Sequence, residues 1–188
     1  VGTDCAVPIW VVDPIDGSVN FVRGYPKYSV SIALVEHGEP IAACIADPCR
    51  NEVFTAAAGS GSTLNRQSLA VAATVDLHSA IAATVFPKPN ATYMNGYLAR
   101  FTAVIPQVAG VRRAGSMALE LAYLAAGRVD AFWQRGMGAW DAAAGVLLVR
   151  ESGGEVFTLD GLPWMQSQEV CAAAPGVAQA WKALLAAA

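Results

Sequence analysis

Two aspartates, Asp13 and Asp16, flank Pro14 directly after the run Ile9, Trp10, Val11, Val12 and directly before Gly17 and Ser18. A strand read over residues 9–12 must stop there. Proline fixes its own φ, has no N–H to give a sheet ladder, and drives the residue before it toward extended backbone. Asp13 then projects from the strand end and Asp16 lies across a tight turn, with the Ile15 carbonyl exposed between them. Gly17 permits close backbone approach, and residues 18–21 can open a short helix whose first N–H groups face an anion. Hard divalent cations take several oxygen ligands, and Mg²⁺ sits readily between one or two carboxylates and a phosphate. The same residues also suit an Asx-type turn whose carboxylates bond only local amides.

A distant segment decides between these readings. Asp141 follows Trp140, which can anchor the preceding loop, and precedes an apolar stretch over residues 142–149, with Gly153 and Gly154 beyond it. A helix apolar on nearly every face belongs inside a protein. Its N-terminus, and Asp141 with it, should therefore open onto an interior cleft. Three carboxylates converging there would repel one another strongly without cations between them. Metal-assisted hydrolysis of a phosphate ester is the chemistry this pattern points to.

The rest of the chain sets bounds. With 188 residues, 55% hydrophobic and 14% charged, it can bury a large core and a subunit interface as well. A net charge of −3 gives no electrostatic footprint for nucleic acid, and no run of basic residues reads as a membrane-surface patch. No apolar stretch is long enough for a transmembrane span. Cys5, Cys44, Cys49 and Cys171 lack metal-ligand spacing, which fits reduced thiols in a cytoplasmic protein. His37 and His78 sit in polar turns without a nearby nucleophile, which argues against histidine catalysis.

Patterning divides the chain into an antiparallel meander lobe (residues 1–86) and a mixed-sheet α/β lobe (87–188), joined at the Pro- and Asn-rich loop 87–95. Strands are expected over residues 28–36, 41–46 and 51–57 in the first lobe. The second should alternate helices over 97–105, 117–126, 141–151 and 177–187 with strands over 108–113, 129–134, 155–159 and 168–174. Ser116 is the expected N-cap of the 117–126 helix, and Gly127 its terminator.

Asp13-Pro14-Ile15-Asp16-Gly17-Ser18 with Asn20-Phe21, and Trp140-Asp141-Ala142-Ala143-Ala144-Gly145 with the later Gly-Gly pair, closely resemble the two signatures of the inositol monophosphatase family. The likeness continues through Gly115-Ser116-Met117-Ala118-Leu119-Glu120-Leu121 and Gly127-Arg128-Val129-Asp130-Ala131. The resemblance implies a single domain with the layered αβαβα sugar-phosphatase fold. It also implies Mg²⁺-dependent hydrolysis of a small phosphorylated polyol, inositol 1-phosphate first, with lithium sensitivity and a homodimer. By position, Asp13, Asp16, Asp141 and the Ile15 carbonyl would hold metal. Asp16 and Ser18 would serve catalysis, the Ser18 hydroxyl by orienting the attacking water. Gly17 and Ser18 would meet the phosphate through their amides, and Ile15, Gly115, Ser116, Met117, Gln134 and Asp141 would complete the substrate site.

The chain departs from the family pattern in three places. The family's N-terminal helix pair, with a Gly-Glu-Glu motif whose glutamate bridges metals, has no counterpart after Val1. A chain without it is expected to bind Mg²⁺ weakly, turn over slowly and expose apolar surface. Ser18 stands where threonine is usual, keeping the hydroxyl. Gln134 stands where inositol-specific members carry glutamate; the amide still hydrogen-bonds a polyol but lacks the charge that strengthens such bonds. Fructose 1,6-bisphosphate and 3′-phosphonucleotides are alternative substrates. A regulatory or binding role with impaired catalysis is the competing class, since some bacterial relatives associate with RNA-related machinery.

Overall fold

A computed structural model describes residues 7–188; the Val1 start and Cys5 lie outside the described residues. Six strands form one antiparallel meander in simple sequential order: β1 (Ile9–Asp16), β2 (Ser29–Glu36), β3 (Glu39–Asp47), β4 (Glu52–Ala57), β5 (Ser62–Leu64) and β6 (Gln67–Ser68). Alternation explains the central strands. In β2 every second residue, from Ser29 through Ser31, Ala33 and Val35, is buried while its neighbours are only partly covered.

A second sheet of five strands is mixed, in the order β10 (Glu155–Phe157), β11 (Glu169–Ala173), β9 (Ala131–Arg135), β7 (Ile81–Ala83), β8 (Gly110–Arg112). The β7 strand runs parallel to both β8 and β9, whereas β11 is antiparallel to β9 and β10. Because β7 belongs here, the change of sheet falls between β6 and β7, upstream of the loop at Pro87 where patterning placed it. A three-residue strand containing two alanines carries no periodic signal of its own.

Between the sheets lie α3 (Met117–Ala125) and α4 (Ala139–Glu151), which pack on each other, on β2 and β3, and on β9. Beyond the second sheet, α2 (Met94–Val104) and α6 (Pro175–Ala187) close a second core around Trp133 and Trp181. Trp133 is thus a core residue, not a surface platform. The layers are sheet, helices, sheet, helices, the order the αβαβα expectation requires once its first helical layer is set aside. The outer face of the six-stranded sheet presents Trp10, Val12 and Val53 to solvent.

Two local departures from the sequence reading matter for the site. The first strand does not stop at Asp13-Pro14 but continues to Asp16, since β1 is an edge strand and Pro14 can face away from the ladder. The α4 helix begins two residues earlier than expected, at Ala139, so Asp141 sits inside its first turn. Residues Ala142 to Val149 are all buried, and a Cβ on Gly145 would stand 2.5 Å from Leu121 Cβ. That small residue is what lets α3 and α4 approach so closely.

Candidate metal centre

In a regular strand, residues three apart point to opposite faces. Asp13 pairs with Ser31 and Asp16 with Ser29, so one strand advances by an extra residue between the two pairs. This β-bulge turns both carboxylates toward the same side, a recurrent way of re-aiming a side chain beside a functional site. Asp141 arrives from the first turn of α4, where it is half-buried just ahead of the buried stretch that begins at Ala142. One oxygen from each of Asp13, Asp16 and Asp141 can lie within 4.8 Å of the others.

Each carboxylate is also held. One Asp13 oxygen accepts the Ile15 N–H at 3.0 Å, so the Asx turn and the convergence coexist. Asp16, 6% exposed, accepts the Ser116 hydroxyl at 2.6 Å and the Ala118 N–H at 2.8 Å. Asp141 accepts the Gly138 N–H at 2.8 Å, and its own N–H donates to the Gly138 carbonyl at 3.1 Å, which ties the acid to the start of α4. Trp140 contributes through its carbonyl, which accepts the Ser31 hydroxyl, and through its ring, which lies over Gly138.

The electrostatics follow. Burial pushes Asp16 up to about 6, against the opposing bonds from Ser116 and Ala118, and the charges of Asp141 and Asp13 add to the rise. Burial also raises Asp141, opposed by the Gly138 N–H, with Asp13 adding and Lys88 opposing. All three donors are hard oxygens, and a divalent cation would relieve their mutual repulsion. The residues fit such an ion.

Beside the triad, a short helix α1 (Ser18–Val22) starts at Gly17, whose φ is +84°. A Cβ there would meet the Lys27 carbonyl at 2.9 Å and the Gly115 carbonyl at 3.2 Å, so only glycine lets these loops nest. Asn20 ties them together: its amide donates to the Lys27 carbonyl at 2.6 Å and to the Ala114 carbonyl at 2.8 Å. The Ser18 side chain is exposed. The first N–H groups of α1 have no acceptor within the helix, as at any helix start.

A cleft of about 380 Å³ opens at this loop and is lined by Gly17, Ser18, Gly115, Met117 and Gln134, five of the residues the sequence nominates. Ser116 is not among them. It is fully buried, and its hydroxyl is committed to Asp16 and to capping α3 through the Leu119 N–H. Gln134 is buried rather than facing solvent. Its Oε1 accepts from the Thr84 hydroxyl and the Val85 N–H, and its Nε2 donates to the Arg135 carbonyl. One N–H is left for a ligand. Ile15 stands between the two aspartates with its side chain in solvent.

The sequence did not nominate Asn20, Phe86, Lys88 or Tyr93, all of which line the cleft. The Asn in the first motif was a signal for one of them. The others come from loops whose approach to Gly17 only the fold reveals.

The chain matches the model of the inositol monophosphatase family over residues 2–188. It is 48% identical to the Nus factor SuhB of Xylella fastidiosa over 153 residues, covering 81% of this chain and 56% of that protein. To the inositol-1-monophosphatase of Mesorhizobium japonicum it is 43% identical over 152 residues, covering 81% of this chain and 57% of that one. The chain therefore spans a little over half the length of these curated relatives. Among solved structures, the extragenic suppressor protein suhB of Bartonella henselae superposes with a TM-score of 0.90 at 37% identity, covering 98% of this chain and 70% of that one.

Proposed function

This chain belongs to the inositol monophosphatase family, and from that premise we propose that it is a Mg²⁺-dependent phosphomonoesterase for a small phosphorylated polyol, with inositol 1-phosphate as its first substrate. The observation that carries this reading is the convergence of Asp13, Asp16 and Asp141 next to the loop of Gly17 and Ser18, which lines the cleft. The two aspartates of β1 and Asp141 of α4 would hold the ions, together with the Ile15 carbonyl. Bound cations supply Lewis acidity, lowering the pKa of a water and stabilising the leaving alkoxide.

The chain's own residues do the positioning. The Gly17 and Ser18 amides meet the phosphate, whose charge suits the start of α1. The exposed Ser18 hydroxyl orients the attacking water. Gly115 and Met117 shape the wall opposite, and the free N–H of Gln134 meets a polyol oxygen. Ser116 acts through Asp16, fixing the carboxylate in place. Water adds to phosphorus, the ester oxygen leaves as the polyol, and inorganic phosphate remains.

The test is hydrolysis of inositol 1-phosphate, fructose 1,6-bisphosphate and a 3′-phosphonucleotide with Mg²⁺, beside an Asp16→Asn variant. Turnover of the first that Asp16→Asn abolishes and lithium inhibits supports the reading. Absence of turnover on every ester overturns it. A homodimer in the cytoplasm is the expected setting; no helix among the described residues is long and apolar enough to cross a membrane.

A regulatory or binding role is the second reading, favoured by the Nus factor name that several relatives carry. A partner captured equally by the native protein and by Asp16→Asn would support it.

A further inference from the structure

A cavity of about 570 Å³ shares only Arg113 with the Ser18–Gln134 cleft. Five cations line it, Lys27, Arg50, Arg112, Arg113 and Arg128, against the carboxylates of Glu52 and Glu120. Their pairing is uneven. Glu52 holds Arg128 through two bonds of 2.6 Å, and Asp47 beneath the wall holds Arg50 at 3.1 Å.

Lys27 and Arg112 have no carboxylate within bonding distance among the described residues. The Lys27 ammonium donates to the Tyr123 hydroxyl at 3.2 Å and stands over that ring at 4.7 Å. Arg112 reaches no further than the Val111 carbonyl, at 3.3 Å. Arg113 lies over the Phe86 ring. Glu120 is engaged by the Ala114 N–H at 2.6 Å. Burial, and after it the charge of Arg50, hold the Lys27 ammonium below its ordinary pKa. Like charges facing one another across a concave wall repel, and the field they set up attracts anions.

We propose that this cavity is a second anion-binding site, separate from the carboxylate triad, for a small phosphate-bearing ligand held by Lys27 and Arg112. A guanidinium fork and an ammonium point charge together match a tetrahedral, multiply charged oxyanion. The site is also joined to the loop of the first. Asn20, two residues beyond Ser18, bonds the carbonyls of Lys27 and Ala114, both residues of this cavity's wall. An occupant would therefore press on the segment that carries Gly17 and Ser18.

The test uses inorganic phosphate titrated calorimetrically into the native protein in chelator, where the triad has no cation to help retain phosphate. Saturable binding is expected, weakened about tenfold in Arg112→Gln and in Lys27→Gln, and kept in Asp141→Asn. Arg112 is exposed, so its variant should fold even if the Lys27 variant is impaired. Weakening by about threefold or more in either folded variant, with Asp141→Asn unaffected, supports the site. The proposal is overturned by absence of saturable binding, by smaller changes in both, or by equal loss in Asp141→Asn.

Discussion

The Ser116 hydroxyl donates to the Asp16 carboxylate at 2.6 Å while accepting the Leu119 N–H at the start of α3. One atom therefore aims a buried acid on the edge strand and caps a helix between the sheets. Ser29 meets the same hydroxyl at 3.1 Å. Replacing Ser116 by alanine should lower unfolding free energy by roughly 1–3 kcal/mol, from the lost cap and the unpaired acid. Asp16 should rise further, since the Ser116 bond is what most opposes its upward shift. Urea denaturation gives the first quantity and a pH series of Mg²⁺ titrations the second; threonine at the position should restore both.

Metal binding should depend on pH in one direction. Without an ion Asp16 takes up a proton near pH 6, and a protonated acid is a poor ligand. Mg²⁺ affinity should therefore climb as pH rises through about 6 and level off above it. Asp141→Asn should weaken affinity on the order of tenfold or more at every pH. Calorimetry across this range checks both, and a flat profile would count against Asp16 as a ligand.

Glu120 predicts a pH effect on folding itself. Burial lifts its pKa from 4.5 to about 7, against the Ala114 N–H and the charges of Lys27 and Arg112. The folded state thus holds the proton more tightly than the unfolded one. Stability from this group is full below pH 4.5 and falls as pH rises to about 7, after which it is constant. The loss is of the order of 3 kcal/mol at ~1.4 kcal/mol per pH unit. In Glu120→Gln, thermal melts over this range should lose that slope and show a higher Tm at neutral pH.

Gly145→Ala separates packing from propensity. In an exposed helix the change would stabilise by roughly 1 kcal/mol. Here the new methyl would stand 2.5 Å from Leu121. Overpacking of this kind costs about 1–3 kcal/mol, so the Tm should fall. A rise would mean that α3 and α4 can separate without penalty.

Much of this architecture is legible in the chain because its strongest signals are local. The alternation in β2, the all-apolar face of α4 and the Ser116 cap each announce themselves within a few residues. The convergence of Asp13, Asp16 and Asp141 is legible too, since a helix whose body is buried from Ala142 onward leaves few places for the acid just before it to go. The bulge in β1 is not, because an irregularity is defined only against the partner strand. Nor is the burial of Ser116 behind Gly115 and Met117, or the arrival of Lys88 and Tyr93 at the cleft, which depend on how distant loops meet. The β7 strand escaped because its pairing with β8 and β9 supplies what its composition lacks.

The extra residue in β1 has a mechanical corollary. Two of the three acids ride on the outermost strand of one sheet, while the third is carried by the helix packed between the sheets. An ion shared among them would act as a clasp, fastening a margin that could otherwise fray. Loss of the cation should then show as faster hydrogen exchange in β1 well before the centre of the molecule loosens.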